Sequence, residues 1–215
     1  MNLEIISKNS IFDNIPEEEL PDLLNEISHR FASYKSGEVV IRTGDLFQEI
    51  GIVISGHLLA INVSEAGNKN IINNIVENQV FGEALSASEI TESPFDIVCK
   101  LDAEVFFLSY HDLINGSPNL YHQQMMANVL RLIAQKTMKL NYHLIVAGRR
   151  KIRDKVMTYL NFQRVIHQNS TFTIDLNREQ LAAYLFVDRS ALSFTLMKLK
   201  SEGVIDYYRN SFIIK

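Results

Sequence analysis

The side chains able to do covalent or metal chemistry are few and scattered. The 215-residue chain has one cysteine, Cys99, which can close no intrachain disulfide and cannot alone hold a structural zinc or an iron-sulfur cluster. Its six histidines, His29, His57, His111, His122, His143 and His167, show no His-x-x-x-His spacing, and no Cys-x-x-Cys pair accompanies them. They read as surface or hydrogen-bonded residues, and no metal or other cofactor is expected. A cupin-like metal catalyst would need His and Glu clustered on strands, yet between residues 31 and 108 His57 is the sole histidine. The chain is therefore expected not to be an enzyme. The chemistry that remains is charge. Residues 1–147 carry 9 Lys/Arg against 19 Asp/Glu, net −10, whereas residues 148–215 carry 12 against 6, net +6. An acidic body with a basic C-terminal third points to a polyanionic partner at the small end.

Periodicity identifies the elements that must carry this charge. In "DRSALSFTLMKLKSEGVI", residues 188–205, Asp188 can cap a helix whose apolar positions Leu192, Leu196 and Leu199 recur at helical spacing. Gly203 is placed to end that helix. Upstream, "NREQLAAYL" offers Asn177 as the cap of a shorter helix, and "TFTIDL" reads as a strand. The close, "VIDYYRNSFIIK", reads as two strands turning at Arg209-Asn210. This is the pattern of a helix-turn-helix running into a β-wing. Before it lies "RRKIRDKVMTYLNFQRVIHQ", a basic amphipathic helix expected to turn Ile152, Val156, Leu160 and Ile166 inward and to leave Arg149, Arg150 and Lys151 exposed.

A long helix is expected over residues 120–147. Met126, Leu130, Ile133, Thr137, Leu140, Leu144 and Ala147 step alternately by four and three, the a/d seam of a coiled coil. So narrow a stripe on so long a helix favours pairing with a second copy, and Gly148 just beyond it reads as a hinge. Between Phe31 and Leu108 the period is that of strands: "GEVVIRTGD", "EIGIVISGHLLAINVS", "KNIINNIV" and "FDIVCKLDAEVFFLS" are separated by turn residues, with a hairpin loop expected around Gly67. At the start, "NIPEEELPDLL" reads as a short helix with Pro16 and Glu17–Glu19 in its first turn. No run of 18 apolar residues occurs and the N-terminus lacks signal-peptide order, so a cytoplasmic protein without a membrane partner is expected.

In order and spacing over nearly the full length, these elements resemble the Crp/Fnr family of bacterial transcription regulators. The "GEVVIRTGD" and "FGE" elements, the long helix and the terminal winged helix-turn-helix carry the resemblance. It implies an α+β chain: a cyclic-nucleotide-binding-like β-roll over 1–118, a dimerisation helix over 119–147 and a DNA-binding domain over 148–215. It also implies a homodimer on a two-fold symmetric site in double-stranded DNA, with RNA polymerase as a further partner of an activator. Carried onto this chain, the base-reading positions are Arg189, Ser190 and Phe194, with Ser193 close by; Arg178, Lys198 and Lys200 are further DNA-contact candidates, the two lysines for phosphate. Two departures stand out. The family usually has Arg at the position of Phe194, and Gly at that of Phe186, where the backbone often adopts φ > 0.

The effector side departs further. Cyclic-nucleotide binders of the family place an Arg-Ser pair about ten residues beyond the Glu of "FGE", and here those positions are Ser93 and Pro94. Without a cation opposite the phosphate a buried anion is poorly compensated, so cyclic AMP is not expected to bind. Glu83 and Thr137 are the effector-pocket positions that the resemblance leaves, for a small molecule still to be identified. The competing expectation is a β-roll dimer scaffold or ligand-binding module that does not read DNA sequence.

Overall fold

A computed structural model of the chain describes residues 3–63, 69–88, 92–116 and 119–215. The expected hairpin loop around Gly67 lies outside them. The chain divides into two compact units, one ending at Ala134 and the other running from Gln135 to Lys215.

In the first unit, helix α1 (Leu3–Ile6) and a 3₁₀ turn (Ser10–Phe12) precede a second 3₁₀ turn (Glu17–Glu19) that runs into α2 (Leu20–Asn25). Strands β1 (His29–Tyr34), β2 (Val39–Ile41), β3 (Glu49–Val63), β4 (Lys69–Val76), β5 (Val80–Phe81) and β6 (Asp96–Ser109) follow, with α3 (Glu83–Ala87) between the last two. Helix α4 (Tyr110–Asn115) then leads to α5 (Leu120–Ala147), which has the bounds its seam predicts. All six strands join one antiparallel sheet in which β6 pairs with β1, β2 and β3, and β3 pairs in turn with β4 and β5.

The sheet bends in the middle of β3. Register slips between Val53 and Leu58, and Gly56 there has φ 91°. A Cβ on Gly56 would sit 2.2 Å from the Asp102 carbonyl oxygen, so the backbones of β3 and β6 approach closely only because that position has no side chain. Successive residues of a strand face opposite sides, and β6 is apolar on both. Phe106 packs under the N-terminal helices with Phe12, Leu20, Ile50, Met125 and Val129, while Phe107 packs inside the roll with Val53, Leu58 and Phe81. Cys99 lies in the roll, 2% exposed, with its thiol near the carbonyl oxygens of Leu101 (3.0 Å) and Tyr34 (3.4 Å); burial pushes the thiol pKa up.

The second unit holds α6 (Ile152–His167), β7 (Thr171–Thr173), α7 (Arg178–Tyr184), α8 (Arg189–Ser201), β8 (Ile205–Tyr208) and β9 (Ser211–Ile214), with sheet order β7-β9-β8. Val156, Leu160, Leu181, Leu192, Leu196 and Phe212 make its core. Ile166 departs from the sequence expectation: it is 58% exposed, because the last turn of α6 extends past that core.

Helix α5 belongs to both units. Met125 and Val129 are buried in the first, with Leu132 and Ile133 packed against them, whereas Val146 is buried in the second. Of the seam, Leu130, Leu140 and Leu144 are 69%, 59% and 61% exposed and Met126 is 39% exposed. Gly148 is not left-handed, and its amide donates to the Leu144 carbonyl at 2.9 Å.

One buried polar residue ties the N-terminal segment to α5. The Asn128 amide donates to the carbonyls of Ile11 (2.9 Å) and Asp13 (2.8 Å), and its oxygen accepts from Gln124 and Arg131. Asn128→Ala is expected to leave two carbonyls without a partner and to destabilise the first unit by about 1–3 kcal/mol. Denaturant unfolding checks this: the midpoint should fall at an unchanged slope.

Candidate nucleic-acid interface

The candidate surface is built on α8, and its geometry begins at the end of α7. Asn177 caps α7 in a reciprocal capping box with Gln180. At the other end, the Phe186 amide donates to the Ala183 carbonyl and the Val187 amide to the Ala182 carbonyl, both at 3.0 Å. These two bonds form a Schellman motif, which needs φ > 0 at the residue after the cap. Phe186 supplies it with φ 51°, so the turn keeps the left-handed conformation although a glycine is absent. The ring is placed to compensate. His143 of α5 lies between Tyr184 (centroids 4.2 Å apart, planes at 12°) and Phe186 (5.1 Å, 8°), and a His143 ring nitrogen is 2.9 Å from the Tyr184 carbonyl oxygen. From α6, Lys155 donates to the Leu185 carbonyl at 2.8 Å.

Two residues beyond Phe186, the Asp188 carboxylate accepts from the amides of Ser190 (2.8 Å) and Ala191 (3.0 Å) and from the Ser190 hydroxyl. Those bonds, the hydroxyl first, hold its pKa below the usual carboxylate range. The cap therefore contributes stability above the unfolded carboxyl's pKa and loses it as pH falls through the lower folded value. At the C-terminus, Gly203 (φ 73°) and Val204 donate to the carbonyls of Lys200 and Leu199, a second Schellman motif that ends α8 before the wing.

Helix α8 buries Leu192, Leu196 and Leu199 and exposes Arg189, Ser190, Ser193, Phe194 and Lys198. The Arg189 guanidinium has no partner among the described residues, whereas the Ser193 hydroxyl donates to the Arg189 carbonyl at 3.0 Å. Phe194 is 63% exposed. Two of the sequence candidates stand apart. Lys200 is ion-paired with Asp206 at 2.6 Å, and its ammonium lies 5.3 Å from the Tyr207 ring centre. Arg178 donates to the Arg209 carbonyl at 3.1 Å and lies over the rings of Tyr207 and Phe212; burial lowers its pKa. Both cations thus hold the wing in place. Sequence reasoning missed Met197, which is 57% exposed and follows Ser193 and Phe194 at helical spacing, and Tyr208 and Arg209 at the wing tip.

On the effector side, Glu83 is 4% exposed in the first turn of α3, and Ser93 is 2% exposed with its hydroxyl donating to the Phe95 carbonyl at 2.6 Å. Pro94 is exposed. Glu83 falls in the first compact unit and Thr137 in the second. No lysine or arginine is buried among the described residues.

The strain at Phe186 is directly measurable. Phe186→Ala and Phe186→Gly both lose the stacked ring, but alanine must still adopt the left-handed backbone, which costs it about 1–2 kcal/mol. The glycine variant is expected to be the more stable by about 1 kcal/mol, read from chemical denaturation of the two side by side.

Comparison with known proteins agrees with this layout. Residues 31–115 match the cyclic nucleotide-binding domain family. The transcriptional activator protein anr of Pseudomonas aeruginosa is 20% identical over 202 residues, covering 86% of this chain and 76% of that protein. The transcriptional activator protein FnrL of Cereibacter sphaeroides is 21% identical, covering 81% and 72%. The crystal structure of the catabolite activator protein of Thermus thermophilus has the same fold, with a TM-score of 0.54 at 21% identity over 96% of this chain and 94% of that one. No described helix is long and apolar enough to cross a membrane. The chain thus joins a β-roll matched to the cyclic nucleotide-binding domain family to a winged helix-turn-helix, and over most of its length it is similar, at 20–21% identity, to bacterial transcriptional activator proteins.

Proposed function

We propose that the chain is a homodimeric regulator that reads a two-fold symmetric operator with α8. The observation that carries this reading is the exposed face of α8, where an unpartnered Arg189 stands beside Ser193 and Phe194 on a helix whose other face is fixed in the core. Arg189 suits a bidentate contact to guanine, Phe194 suits a thymine methyl, and Lys198 suits a phosphate. The net +6 of residues 148–215 supplies the sequence-independent attraction. Leu130, Leu140 and Leu144, exposed at seam spacing, support pairing of α5 with its counterpart in a second copy. Gly148 is the hinge after that helix in this reading.

Sites selected from a random DNA pool are expected to contain inverted half-sites whose centres lie about one helical turn apart. On such a site Arg189→Ala should cost about 1–3 kcal/mol and relax preference at one base pair per half-site. Equal weakening on selected and random DNA would rule out base reading by Arg189.

The β-roll is proposed not to respond to cyclic AMP. Among the described residues the buried ionisable side chain of the roll is Glu83, a carboxyl that offers no cation to a cyclic phosphate; Ser93 already donates its hydroxyl to a backbone carbonyl. A ligand held weakly in every state cannot shift a conformational equilibrium. Calorimetry is expected to show no micromolar binding of cyclic AMP or cyclic GMP, and neither should tighten operator binding.

A further inference from the structure

The second unit contains a cavity of about 390 Å³, which shares Leu140 with the proposed seam and is otherwise lined by residues the reading above does not use. It is walled by aromatic rings: Tyr142 and Phe162 pack at 4.3 Å between centroids, Tyr159 and Tyr184 at 5.2 Å, and His143 completes the wall. Lys139 and Asp175 also line it, so one charge of each sign faces the space. Its volume falls within the range of small-molecule sites.

The decisive group is Tyr159. It is 5% exposed and lines the cavity, and its hydroxyl has no hydrogen-bond partner among the described residues. The hydroxyl oxygen itself is not sealed from solvent, so it faces the cavity as a donor that no protein group engages. Burial raises its pKa, which keeps the group protonated and so a donor at neutral pH. From the aromatic walls, the orphaned donor and the balanced charges, we propose that this cavity binds a planar heteroaromatic small molecule carrying both hydrogen-bond donors and acceptors. The rings stack against its faces, Tyr159 donates to an acceptor on it, and Asp175 accepts from a donor. Opposite charges at the cavity favour a neutral or zwitterionic molecule over a phosphate ester.

Occupancy bears on the helix-turn-helix. Tyr184, the last residue of α7, lines the cavity and stacks on His143, which in turn stacks on Phe186 in the turn. A ligand that orders Tyr184 and His143 fixes the turn and with it the setting of α8. This consequence for DNA affinity rests on the proposed function; the binding site itself does not.

The test uses 7-hydroxycoumarin, a fluorescent planar heterocycle, titrated with the full chain, which has no tryptophan emission for the probe to absorb. Fluorescence anisotropy is expected to show saturable binding, one probe per chain, tighter than about 1 mM. Tyr159→Phe removes the hydroxyl without changing the shape and should weaken binding about three- to tenfold. Gln163→Trp places a large ring in the cavity and should abolish binding, with a circular dichroism melt of each variant confirming that it is folded. Absence of saturable binding overturns the proposal, as does an affinity unchanged by Tyr159→Phe, which would place the probe elsewhere on the chain. Operator affinity is measured with and without the probe in parallel. A protein that binds no DNA yet holds the probe through Tyr159 would refute the regulator reading and leave the site standing.

Discussion

The left-handed backbone at Phe186 sets the geometry of the helix-turn-helix. A Schellman motif ends α7 cleanly, but it demands φ > 0 from a residue with a Cβ, at a cost of about 1–2 kcal/mol. The conformation persists because its surroundings over-determine it. His143 lies between two rings that flank the turn, and Lys155 holds the Leu185 carbonyl at the point where the helix stops. Val187 and Asp188 follow at once, and α8 starts on the Asp188 cap, so there is no slack between the strained residue and the exposed arginine. Strain in one peptide unit is exchanged for a defined direction of the following helix.

Charge is used in two ways on the same small unit. Lys200 and Arg178 are spent internally, one on Asp206 and the other on a carbonyl and two rings, and together they stiffen the wing. Arg189 has no such engagement. A basic composition therefore overstates the cation available to a partner, since only guanidinium and ammonium groups without internal partners can neutralise phosphate without first breaking a bond.

Local signals made much of this architecture legible. Helix α5 follows from its heptad stripe, the α7 and α8 caps from Asn177 and Asp188, and the wing from its strand-turn-strand pattern, because each depends on residues close in sequence. The 3₁₀ turns at the start of the chain and strand β1 were less visible, because they are short and held by distant partners: Asn128 binds Ile11 and Asp13 across more than 110 residues. The pairing of Lys200 with Asp206 is not legible in the sequence, because Asp206 sits beyond a helix end that periodicity cannot see past. The division of α5 between two cores was hidden for a related reason. An a/d stripe records which face is apolar, and it does not record which body that face meets. The cavity had no sequence signature, since Lys139, Tyr159, Asp175 and Tyr184 come from separate segments.

Cys99 gives the chain a particular relation to oxidants. A thiol must ionise and be reached in order to be oxidised, and this one is 2% exposed, raised in pKa by burial and engaged with two carbonyl oxygens. Among the described residues the sulfur most open to peroxide is in thioethers instead: Met126, Met138 and Met197 are 39%, 47% and 57% exposed. Sulfoxide formation turns an apolar side chain polar and is reversed by dedicated reductases. Oxidative damage to this molecule would thus be written on the seam helix and on the exposed face of α8, where a new dipole meets whatever those surfaces bind, while the only cysteine records nothing.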